Sequence, residues 1–156
     1  MFQSYSSQSF GYDIRLSGIL PNPAILLQDK YESIRHPNVH VDMFAVVNIN
    51  GQEIKIAVEH QGPQHSSFTA YLLIAKPRDE ANGIYKSDAE YRIAWERMLE
   101  RDRAKVELFE ELNRDGYYLI VVEDSIHVSG RAAYILQEFM RQTGLRLGQS
   151  DISDWI

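Results

Sequence analysis

The chain has 156 residues, enough for one ordinary domain around a single core, and its 44% hydrophobic and 24% charged residues exclude a disordered tail. It has no cysteine, which excludes disulfides, thiolate catalysis and cysteine-rich zinc sites and leaves the redox compartment undetermined. The formal net charge of -6 gives no sign of the broad basic surface that drives phosphate binding, although carboxylates that hold a divalent ion add to the same negative total.

No apolar run approaches the roughly 18 residues of a membrane span, and MFQSYSSQSF lacks the basic and apolar regions of a signal peptide. A soluble intracellular protein without a membrane partner is expected, cytoplasmic or nucleoid-associated. Residues 1 to 20 show no clear periodicity and read as an arm or a short strand. The remainder, 21 to 156, reads as a single domain. Within PNPAILLQDKYESIRHP, Asn22 can cap a helix, Pro23 suits its first turn, and Ala24, Leu27, Tyr31 and Ile34 recur at helical spacing until Pro37.

VHVDMFAVVNINGQEIKIAVEHQ predicts a hairpin about Asn50-Gly51. With those two residues as the loop, Asp42 falls across from Glu59 and His40 across from Gln61. Alternation puts Val39, Val41, Met43, Ala45, Val47, Ile54, Ile56 and Val58 on one apolar face. Phe44 and Ala57 sit on the other, with Asp42, Glu59 and Gln61 at its end. Gly62-Pro63 then turns the chain and brings Gln64 and His65 back toward that end.

Residues 66 to 86 contain Pro77, Gly83 and a patternless apolar run, consistent with either a short helix or a flap. Ser87 and Glu90 form a capping-box pattern that opens a helix from about Asp88 to Asn113. YYLIVVE reads as a strand covered on both faces, and a last helix is expected from about Gly130 to Thr143, stopped by Gly144. The predicted class is α/β, a mixed central sheet with helices on both faces.

Two carboxylates facing each other across a strand pair repel, so Asp42 opposite Glu59 suggests either a bound hard cation or a solvated sheet end matched by Lys55, Arg101 or Lys105. His65 is either a ligand or water-positioning group, or a turn histidine bonded to backbone. His60 points by parity to the apolar face. In the long helix, Trp95, Met98, Asp102, Lys105, Phe109 and Leu112 recur at alternating three- and four-residue steps as one stripe. Its two charges are either a simple i,i+3 ion pair on a helix whose apolar stripe is offset toward Leu99 and Val106, or a charged pair presented to the sheet. At most one of Glu123 and Asp124 faces the same end of the sheet, because neighbouring strand residues alternate.

HVDMF, IAVEHQGPQH and RDRAK, in this order and before an apolar strand, resemble the very-short-patch-repair-like branch of the restriction-endonuclease-like, or PD-(D/E)xK, nuclease superfamily. The resemblance spans about residues 24 to 125. It implies a restriction-endonuclease-like fold and a Mg²⁺-dependent endonuclease that hydrolyses DNA phosphodiesters, with Mn²⁺ as a substitute ion. It further implies Asp42 and Glu59 as metal carboxylates, Gln61 at the usual lysine position and His65 as a supporting residue. Asp102 and Lys105 match the helix signature, and Glu32 matches an acid on the first helix. Gln61 departs from the pattern, as does His-Pro-Asn-Val-His-Val before Asp42, so an inactive nucleic-acid-binding or assembly module with the same fold is the alternative. A third reading is a non-nuclease domain whose acidic surface meets a protein partner. A second copy or a larger partner is the expected source of recognition in a domain this small.

Overall fold

The computed structural model describes residues 14–16 and 39–147. Glu32 and the helix expected over 22 to 36 lie outside them. The described elements are strands β1 (Ile14–Arg15), β2 (His40–Val41), β3 (Met43–Ile49) and β4 (Gln52–Gln61), helices α1 (Phe68–Ala81) and α2 (Asp88–Leu112), strand β5 (Tyr117–Glu123) and helix α3 (Arg131–Thr143).

β3 and β4 form the hairpin in the expected register, from Met43 opposite Val58 to Ile49 opposite Gln52. The turn residues Asn50 and Gly51 take φ of 54° and 82°, the two consecutive positive values that a right-handed hairpin twist demands. β5 runs parallel to β4, with Lys55 beside Tyr117 and Gln61 beside Glu123, which completes a sheet of order β3-β4-β5. The two residues of β1 pair antiparallel with β2 in a separate short ribbon.

The first strand departs from the expected single run at Asp42, where the backbone bends between β2 and β3. In an unbroken hairpin the next ladder bond would take the His60 N–H to the carbonyl of Val41. Here that N–H donates to Asp42 Oδ2 at 2.5 Å. The ladder stops and the alternation resets. Val39 and Val41 therefore pack with Phe44, on the face opposite Ala45 and Val47, rather than continuing the apolar face predicted for them.

Both faces of the mixed sheet carry a helix, so the molecule is an α/β layer structure. On one face Ala45, Val47, Ile54, Ile56, Ile120 and Val122 meet Ala132, Ile135 and Phe139 of α3. On the other, Phe44, Ala57, Tyr117 and Leu119 meet Ala104, Leu108, Phe109 and Leu112 of α2, together with Leu16, Val39 and Val41. β4 and β5 feed both layers, which explains their nearly continuous apolar sequences.

Helix α2 opens with the predicted capping box: Ser87 accepts from Glu90 N–H, and the Glu90 carboxylate accepts from Ser87 N–H. The undecided stretch before it is mostly helical. Ser67 caps α1 by accepting from Ala70 N–H, and the helix runs through Pro77 to Ala81. Its apolar residues surround the axis rather than forming a stripe, so periodicity could not announce it. Among the described residues no helix is long and apolar enough to cross a membrane.

Candidate active site

The site forms where the C-terminal ends of β4 and β5 meet the middle of α2. Strand alternation continues the Ala57 face of β4 through Glu59 to Gln61, and the Leu119 face of β5 through Val121 to Glu123. These residues therefore point toward the α2 side. Along α2, the predicted stripe is the face turned to the sheet, with Lys105, Phe109 and Leu112 buried and Trp95, Met98 and Asp102 half-buried. Of the two residues toward which the alternative stripe is offset, Leu99 is half-buried and Val106 exposed.

Glu59 is only 9% exposed, and its Oε1 lies 2.5 Å from Lys105 Nζ. Lys105 is itself buried and also donates to the His40 carbonyl of β2 at 2.9 Å. Glu59 Oε2 is buried and has no hydrogen-bond partner among the described residues. Burial pushes the Glu59 carboxyl above the usual carboxylate range, Lys105 opposes that rise, and the nearby charges of Asp102 and Asp42 add to it. The influence of Asp42, the other carboxylate implied as a metal ligand, is the smallest of these. Asp42 sits at the bend, fixed by the His60 N–H.

Asp102 and Lys105 do not spend their charges on each other. Asp102 Oδ2 lies 2.5 Å from His65 Nδ1, with both side chains largely covered. With the carboxylate oxygen as acceptor, Nδ1 is the donor of this pair, which leaves Nε2 as the other ring nitrogen. Local backbone sets this up: after Gly62, Pro63–His65 make one turn of 3-10 helix, with the His65 N–H donating to the Gly62 carbonyl. The Trp95 indole N–H donates to the Gln64 carbonyl at 2.8 Å and ties that turn to α2. Arg92 lies over Phe68, 4.5 Å from the ring centroid, beside Trp95.

Gln61 ends β4, its carbonyl held by the Asp124 N–H at 2.8 Å. It lines a cleft of about 440 Å³ together with Pro63, His65, Ser66, Glu123 and Asp124, and it also borders a groove shared with Asp102 and Arg103. Glu123 thus belongs to the site, although alternation alone left it undecided against Asp124. The pairing of Gln61 with Glu123 supplies the missing phase. His60 keeps its expected side but lies beyond the core edge, exposed, with Nε2 4.0 Å from Asp124 Oδ1.

The donor chemistry fits a hard divalent cation in one respect: Glu59 Oε2 is a buried carboxylate oxygen left unsatisfied among the described residues. Among the described residues no three His, Asp or Glu side chains converge as a complete cage. The protein would supply two carboxylates and water the rest, since Mg²⁺ commonly keeps several waters.

No family model, curated protein or solved structure matches this chain.

Proposed function

We propose that the protein is a metal-dependent endonuclease that hydrolyses phosphodiester bonds of DNA. The observation that carries this reading is the convergence of two differently built charge pairs on one end of the sheet: buried Glu59 with Lys105, and His65 with Asp102. Repulsive carboxylates, a half-satisfied buried one, and an oriented imidazole beside an open polar cleft are costly for stability and useful for hydrolysis.

Asp42 and Glu59 are the residues to hold Mg²⁺ or Mn²⁺. When bound, the ion supplies Lewis-acid polarisation of the scissile phosphate and acidifies a coordinated water. Lys105 offsets negative charge on the Glu59 side of the site. The Gln61 amide orients water by hydrogen bonds. His65, fixed through Nδ1, presents Nε2 for proton transfer to the leaving oxygen. DNA is the proposed substrate, and a second copy or larger partner is the proposed source of recognition.

A second reading, an inactive nucleic-acid-binding or assembly module, is favoured by one specific observation: Lys105 already places a cation on Glu59 Oε1. Incubation of the purified protein with plasmid and labelled oligonucleotides in Mg²⁺ or Mn²⁺ separates the two. The nuclease reading expects cleavage that stops with chelator and in Glu59→Gln. Binding with no cleavage under any of these conditions would establish the second reading.

A further inference from the structure

An amide has no useful basicity, so Gln61 at the usual lysine position can orient water but cannot accept its proton. Glu59 is a poor substitute, since Lys105 occupies one of its oxygens and the side chain is buried. His65 has a single nitrogen left for the cleft. A base is missing from the set assigned so far.

We infer that Glu123 is the general base of this site. The inference rests on the nuclease reading. Parallel pairing sets Glu123 directly beside Gln61, one strand over, and the alternation through Leu119 and Val121 turns it to the same side of the sheet. It is exposed, so it can meet water, and it lines the same cleft as Gln61 and His65. Asp124 follows it but has its carboxylate toward His60.

In this arrangement the amide of Gln61 and the carboxylate of Glu123 hold one water between adjacent strand ends. Glu123 takes a proton from that water as its oxygen bonds to phosphorus. The bond from phosphorus to the leaving oxygen breaks, and the imidazolium of His65 gives its Nε2 proton to that oxygen. One proton enters the carboxylate and one leaves the imidazole, and both groups are restored by exchange with solvent. Base and acid thus line one cleft.

The test compares wild type, Glu123→Gln and His65→Ala on two oligonucleotides, one ordinary and one with sulfur in place of the leaving bridging oxygen. Glu123→Gln changes one exposed group at a strand end and keeps its shape, and circular dichroism verifies its fold. It is expected to lower the single-turnover rate roughly 10²- to 10⁴-fold on both substrates, with oligonucleotide affinity unchanged. A thiolate leaves without protonation, so the sulfur substrate is expected to restore His65→Ala and not Glu123→Gln. Wild-type cleavage with an undiminished rate in Glu123→Gln overturns the assignment of the base alone, as does rescue of Glu123→Gln by sulfur. Absence of cleavage by wild type on every substrate overturns the nuclease reading and this inference with it.

Discussion

Lys105 reaches Glu59, 46 positions earlier in the chain, while Asp102, three residues before it on the same helix, reaches His65. Two charges that local spacing would pair with each other are each committed to the sheet side. The Glu59–Lys105 pair is nearly dry, so loss of one partner strands the other. Glu59→Leu or Lys105→Met alone is expected to destabilise by roughly 3–5 kcal/mol, whereas the two together, an apolar pair of similar volume, should cost far less or nothing. Urea unfolding of the four proteins in the cycle measures this, and additive single losses would contradict it.

Burial raises the Glu59 carboxyl, so the folded state holds a proton at a pH where the unfolded chain has released it. Stability falls with rising pH wherever the folded state binds more protons. The stability of wild type minus that of Glu59→Gln should therefore decline as pH rises from the ordinary glutamate range to the raised value, and level off above it. Chemical denaturation of both proteins across that interval provides the readout, and a difference that increases with pH would contradict it.

Asp102 acts through His65, so its removal should cost less than removal of the imidazole and nothing further once the imidazole is gone. His65→Ala is expected to lower cleavage roughly 10²- to 10⁴-fold. Asp102→Asn should give a smaller loss, and the double variant should match His65→Ala. Independent, multiplying losses in single-turnover assays would show that the two do not form a unit.

Asp42 has two separable duties, fixing the His60 N–H and presenting charge beside Glu59. Asp42→Asn keeps an acceptor for the N–H and removes the charge. Asp42→Ala removes both and should cost about 1 kcal/mol more in stability. Cleavage should be lost in both variants, and isothermal titration with Mn²⁺ should show weakened binding in both. Full Mn²⁺ affinity in Asp42→Asn would remove this residue from the proposed metal site.

The sequence by itself determined whatever is written in short-range chemistry. Asn50-Gly51 specified the hairpin and its register because that pair accepts two positive φ angles cheaply. Ser87 and Glu90 marked the start of α2, and period two and the three- and four-residue steps assigned the inner faces of β4 and α2. That was enough to bring Glu59, Gln61 and His65 to one end of the sheet and to turn Asp102 and Lys105 toward it. Tertiary structure decided everything that depends on which charge meets which. A lysine can satisfy any carboxylate within its reach, and its choice of Glu59 over Asp102 follows from burial against β2 and β4, not from spacing. The bend at Asp42 arose because a side chain outcompeted a ladder carbonyl for the His60 N–H, a contest between two chemically similar acceptors that no pattern records. Glu123 joined the site for the same kind of reason: alternation says that neighbours point apart, and only the parallel register beside Gln61 says which of them points in.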